Sequence, residues 1–153
     1  MTQEDKMLLI KNLSSRLPYS VHVQHTSGFS GVLHDISMHH KYDKNNNVYD
    51  IICYTDFFGD GDSITIEHFK PYLFPLSSLT EEQRNNISKL LIDTQNEFSP
   101  YGEINMKGCD NLFICSVKQA NALINYCLAN HLDINGLIEK GLAIDATGLN
   151  IYC

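Results

Sequence analysis

The chain has 153 residues, 43% of them hydrophobic and 19% charged, the balance of a folded globular protein rather than a disordered one. That length suits one domain around a single core. Eleven Lys and Arg against 18 Asp and Glu leave a net charge of −7, and Arg16 and Arg84 are the two arginines. The basic residues form no stripe, which argues against nucleic-acid backbones and anionic membrane surfaces as partners.

The opening MTQEDKMLLIKNL is acidic early and carries a Lys inside its apolar stretch, unlike an export signal. No run approaches the roughly 18 apolar residues of a membrane span. The five cysteines (53, 109, 115, 127 and 153) are odd in number and lack CxxC spacing, so they read as reduced thiols of a cytosolic protein.

Thr2 to Leu17 has helical spacing, with Ile10, Leu13 and Leu17 on one stripe and Met7 beside it. Thr2 and Asp5 are placed as a capping box, and Pro18 is expected to end the helix by moving Leu17 out of the helical region. The period then changes to two. Strands are expected over SVHVQH, Gly31 to Met38, Val48 to Tyr54 and Ser63 to Phe69, separated by SGFSG, DKNNN and FGDGD. Connections this short imply an antiparallel meander.

FKPYLFPLSS holds two prolines, so it reads as a strap over the end of the sheet and not as a central strand. Thr80 to Gln83 makes a second capping box, opening a helix through Ile87, Leu90 and Leu91 to about Phe98. A loop and a short LFIC strand follow. Ser116 opens a third helix through Val117, Ala120, Ile124, Cys127 and Leu128 to near Asn130. Asp133 is placed to cap a short last helix that Gly141 stops, and the tail LAIDATGLNIYC is a candidate closing strand. The fold class is α+β in a single domain, residues 1–153: an N-terminal helix, a four-stranded antiparallel meander, two longer helices, a short terminal helix and a small extra β element.

Three segments, RLPYSVHV, FKPYLFPLSSLTEEQ and LANHLDINGLIEKGLAIDA, resemble a group of short proteins of gut anaerobic bacteria and of their phages and mobile elements. The similarity runs from about Leu8 to Asp145. It implies a setting, the cytosol of a bacterium or a phage-infected host, and an accessory role. It brings no activity, cofactor or catalytic residue to transfer. The chain departs from that group at His39, His40 and Asn45 to Asn47, which are assigned to a loop.

Asp56 to Glu67, DFFGDGDSITIE, matches an EF-hand loop at positions one, five, six and twelve through Asp56, Asp60, Gly61 and Glu67. Phe58 at position three offers no oxygen, and the flanks have strand rather than helix period. The segment therefore reads as a hairpin turn with Gly59 and Gly61 at its tip. His22 and His34 could share a sheet face, but three or four converging ligands are needed for zinc, and no HxxxH or HExxH spacing occurs. No metal site and no cofactor are expected. Cys53, Cys115 and Cys127 fall on apolar patterns, which leaves Cys109 as the candidate reactive thiol. Glu81 and Glu82 belong to a helix first turn. There is no GxSxG, Walker or GxGxxG motif, so no catalytic residue is assigned.

Phe69, Pro71, Tyr72, Phe74 and Pro75 crowd into the strap. They are either a cover joining the sheet to the helices or a surface patch for a protein partner or self-association. Tyr152 reads as a rim residue. The leading expectation is a small acidic cytosolic binding protein without enzymatic activity, docking to a host or phage protein. A small-ligand-binding or sequestering protein, for a nucleotide or metabolite held between sheet and helices, is the alternative, and a Cys- or metal-dependent enzyme the second.

Overall fold

Helix α1 (Gln3–Arg16) starts where its capping box lies: Asp5 N donates to Thr2 Oγ1 and Thr2 N donates to Asp5 Oδ2, both at 3.1 Å. The computed structural model describes residues 1–42, 47–55, 62–92 and 117–152. Pro18 does not act as expected. Leu17 keeps helical angles (φ −47, ψ −41), and Leu17–Tyr19 continues as a 3-10 turn. Proline fits the start of such a turn because an N–H there has no intrahelical partner to lose. The reversal falls on Ser20 instead, at φ 55.

Six strands follow: β1 (His22–His25), β2 (Ser30–Tyr42), β3 (Asn47–Thr55), β4 (Asp62–Thr65), β5 (Phe69–Leu73) and β6 (Ile144–Asp145). Their order is β4-β3-β2-β1-β5-β6, antiparallel except for the β5–β6 pair, so the sheet is mixed. The chain is thus α+β, with a larger sheet than the four strands expected. His39 and His40 lie within β2, opposite Asp50 and Tyr49, and Asn47 begins β3. The expected loop is shorter because the ladder continues to Tyr42 opposite Asn47. Asn45, Asn46 and the segment Asp56 to Gly61, expected as a hairpin turn, lie outside the described residues. The segments on either side of it are the antiparallel strands β3 and β4, not helices.

Ser63 to Phe69 is not one strand. β4 stops at Thr65, and Ile66–His68 forms a 3-10 turn. Four Cα steps from Thr65 to Phe69 span at most about 14 Å. Thr65 sits across Ile52 from Ser37, while Phe69 pairs with His25 beside Phe29. Eight residues of straight strand would separate those levels by about 26 Å. The short link therefore requires a bend, and β2 supplies it at the irregularity between Leu33 and Asp35.

The proline strap is itself a strand inside the sheet, between β1 and β6. Thr26 N donates to His68 O at 2.8 Å, and the antiparallel alternation then places Pro71, opposite Val23, at a position that owes β1 no hydrogen bond. On the other side β6 begins pairing only at Tyr72. Pro71 thus occupies a site where neither neighbour needs its missing N–H. Phe69, Pro71, Tyr72 and Leu73 are buried.

Leu9 and Leu13 of α1 pack against Val21, Val23, Leu33, Cys53, Ile66, Phe69 and Leu73, and Leu137 and Leu142 close the same core. Helix α2 (Glu81–Ile92) carries the second capping box, Thr80 N to Gln83 Oε1 at 3.0 Å and Gln83 N to Thr80 Oγ1 at 3.2 Å. Helix α3 (Val117–Ala129) follows. Residues 93–116, with Cys109, Cys115, Ser116 and the LFIC run, lie outside the described residues. The last short helix is replaced by turns. The Asp133 carboxylate accepts from Leu137 N at 2.9 Å and Ile138 N at 2.8 Å, and Gly141 takes φ +68. The closing strand is two residues long.

Arg16, the last residue of α1, is fully buried. Its Nε donates to Asn12 Oδ1 at 2.7 Å, Nη2 to Leu132 O at 2.5 Å and Nη1 to Leu128 O at 3.4 Å. A cation thus sits on carbonyls at the C-terminal end of α3, where the helix dipole favours positive charge. Arg16→Met would leave these acceptors unpaired and should cost about 2–4 kcal/mol. Arg16→Lys should recover less than half of that, because an ammonium lacks the fork. Urea unfolding, read as a midpoint shift at constant slope, measures both.

Candidate ligand cavity

Helix α3 ends without a glycine. His131 N donates to Leu128 O at 3.1 Å and Leu132 N to Cys127 O at 2.9 Å, the bond pair of a Schellman cap. In that motif the residue at the His131 position turns left-handed, and His131 has φ 54. Glycine is the usual occupant, and a side chain there costs roughly 1–2 kcal/mol. Ser20 and His131 are the two non-glycine residues with positive φ among the described residues, and both line the same cavity.

The cavity has a volume of about 560 Å³. Ser20 and His22 come from the entry to β1, Phe74 from the residue after β5, and His131 from the α3 cap. Tyr152 closes it from the C-terminal segment. Phe74 N donates to His131 O at 2.9 Å and Asp133 N to Phe74 O at 2.8 Å, so the cap is held to the end of β5 like an added strand.

Tyr152 organises this region. By the alternation along β1, His22 and Tyr72 should exchange a ladder hydrogen bond. Instead the Tyr152 hydroxyl stands between them, accepting from His22 N at 3.3 Å and donating to Tyr72 O at 2.7 Å. Burial pushes the phenol up to about 12, so it keeps the proton it donates. Its ring stacks on His131, with centroids 3.7 Å apart and planes at 14°. His22 meets it edge-on at 5.0 Å and Phe74 lies tilted at 5.9 Å. These contacts help offset the backbone strain at His131.

Burial, and then the charges of Arg16 and His22, bring the His131 imidazole down to about 4. It is therefore neutral at physiological pH. Its Nδ1 is buried and has no hydrogen-bond partner among the described residues.

The structure places the sequence-derived candidates elsewhere. Phe69, Pro71 and Tyr72 are buried in the sheet, which withdraws them from an exposed interaction patch; Phe74 and Pro75 are half-buried. The reason is that Phe69 and Leu73 belong to the core cluster and Pro71 lies on the same strand face between them. Cys109 lies outside the described residues. Cys53 is buried with its thiol pushed up to about 12, and burial also raises Cys127. Glu67 is bound to Lys6 Nζ at 2.6 Å. Among the described residues no group of three or more His, Cys, Asp or Glu is arranged to hold a metal ion. No helix among them is long and apolar enough to cross a membrane. Tyr152, expected at the rim, is the centre of the cavity wall. No protein-family model, curated protein or solved structure matches the chain.

Tyr152→Phe keeps the ring but leaves His22 N and Tyr72 O without their bridge, and should cost about 1–2 kcal/mol in chemical denaturation. His131 gives a second expectation. The unfolded imidazole titrates near 6.5 and the folded one at about 4. Between those values the unfolded chain binds the extra proton, so stability is full above pH 6.5 and falls as the pH drops towards 4. The loss should be about 1–2 kcal/mol, less than the full shift because water screens part of the charge. His131→Gly, which suits the left-handed backbone, should flatten that part of the pH profile.

Proposed function

We propose that the protein is a small-molecule-binding protein without catalytic activity, with its ligand site in the Tyr152–His131 cavity. The observation that carries this reading is the cavity itself. Its volume lies within the roughly 300–1,000 Å³ typical of ligand sites. It is walled by rings and neutral polar side chains, and two strained residues shape it. Strain of that kind concentrates at functional sites. Within the described hydrogen bonds, Ser20 has no link to His22 or His131 that would make it a nucleophile, and the Tyr152 phenol is held protonated. Docking through the strap has less support, because β5 buries three of the five residues that suggested it, Phe69, Pro71 and Tyr72, while Phe74 and Pro75 stay half-buried. The setting belongs to the same proposal. A bacterial or phage-infected cytosol is supported by the cysteine pattern and by the resemblance of FKPYLFPLSSLTEEQ and LANHLDINGLIEKGLAIDA.

A thermal-shift panel of metabolites, nucleosides and nucleotides tests it. A ligand at 100 times its Kd should add about 2.7 kcal/mol, or roughly 5–10 °C at this chain length. His131→Gly should remain folded and lose the shift. A panel that leaves the melting temperature unmoved throughout overturns the proposal.

A further inference from the structure

Five of the eleven residues lining the cavity carry rings: Tyr19, His22, Phe74, His131 and Tyr152. The remaining six are Ser20, Gln83, Ala129, Asn130, Leu149 and Ile151, so no Asp, Glu, Lys or Arg lines it. We infer that this cavity selects an uncharged planar ring compound, tolerates an anionic analogue less well, and rejects a cationic one. The inference rests on the small-molecule reading above and adds the ligand's chemistry to it.

The ring preference follows from the walls. Tyr152 is engaged through a face by His131 and through an edge by His22, so the wall already holds rings in both favoured aromatic geometries. A planar π system can join such a cluster by stacking or edge contact, whereas a saturated ligand of equal size gains only its apolar area.

The charge order follows from what lies in and behind the walls. An ion entering the cavity gives up water and finds no Asp, Glu, Lys or Arg in the lining to replace it, a cost that falls on anions and cations alike. Arg16 then separates the two. Its guanidinium donates to Leu132 O, the residue after His131, and is sealed from solvent. Among the described residues no carboxylate reaches ion-pair distance of it; the Asp133 carboxylate acts on Arg16 at longer range, but at His131 the charges that act are those of Arg16 and His22. Its field therefore acts on the cavity from behind His131, against a cation and in favour of an anion. That field cannot replace the lost hydration of an anion, because Arg16 is fully buried and is not among the residues lining the cavity. Tyr152 and His131, both uncharged at neutral pH, leave this balance unaltered.

Titration calorimetry with matched sets built on purine, pyrimidine and quinoline rings tests the inference. Each set holds an uncharged member, a carboxylate or phosphate derivative, an N-alkylated cation and a ring-saturated uncharged analogue. For a scaffold that binds, the uncharged planar member should bind at least tenfold more tightly than the cation, with the anion between them and the saturated analogue weaker. His131→Gly should remove binding while far-ultraviolet circular dichroism stays unchanged. A cation or anion that binds as tightly as its uncharged parent overturns the charge rule, and an equal saturated analogue overturns the ring rule; in both cases the small-molecule reading survives. Absence of binding by every compound, here and in the wider thermal-shift panel, removes that reading and this inference together.

Discussion

A buried guanidinium joins the two ends of this structure. Arg16 leaves the last turn of α1 and takes the carbonyls of Leu128 and Leu132 at the end of α3, with Asn12 fixing its Nε. Burying that charge is costly, and its pKa falls to about 10 as a result, but it remains a cation. Among the described residues, what compensates it is the carbonyl end of a helix, with Asp133 acting at longer range than an ion pair. The contact sets the position of the His131 cap against α1 and so fixes one wall of the cavity. It also places a positive field behind a lining that holds no Asp, Glu, Lys or Arg.

Much of the fold could be read from local chemistry. Both described capping boxes, at Thr2 and Thr80, form the reciprocal bonds their spacing implies, and the Val21–Val23 alternation marks residues that are fully buried. What escaped was set by pairing at a distance. FKPYL looks unfit for a sheet interior because proline lacks a donor. It fits here only because Pro71 falls on the alternate register opposite Val23 and one residue ahead of β6. No local pattern reveals which of two registers a strand adopts. The turn at Ile66–His68 was hidden for a similar reason: ITIEHF alternates well enough to pass for a strand, and only the bent sheet demands a corner there.

The cavity was less legible, though two signals were present. Arg16 continues the Leu9–Leu13 spacing by three residues, which puts a charged side chain on the apolar face of α1. An arginine in that position needs acceptors from another element. The end of α3 was the second signal: LANHLD has no glycine where a helix of this kind usually turns, so a residue there must earn its strained backbone through its side chain. Tyr152 gave no signal at all. Nothing within a few residues of it anticipates a phenol replacing a hydrogen bond between two strands far away in sequence.

That replacement has a kinetic corollary. The Tyr152 hydroxyl reaches His22 across 130 residues of chain and Tyr72 across 80, and Arg16 reaches Leu132 across 116. Closing loops of such length is entropically slow compared with forming α1 or the β2–β3 hairpin. Most of the β1–β5 ladder, from Val23–Pro71 to Thr26–His68, pairs without the C-terminal segment, whereas its His22–Tyr72 end is completed only when Tyr152 docks. The cavity wall is therefore expected to form after the sheet it closes.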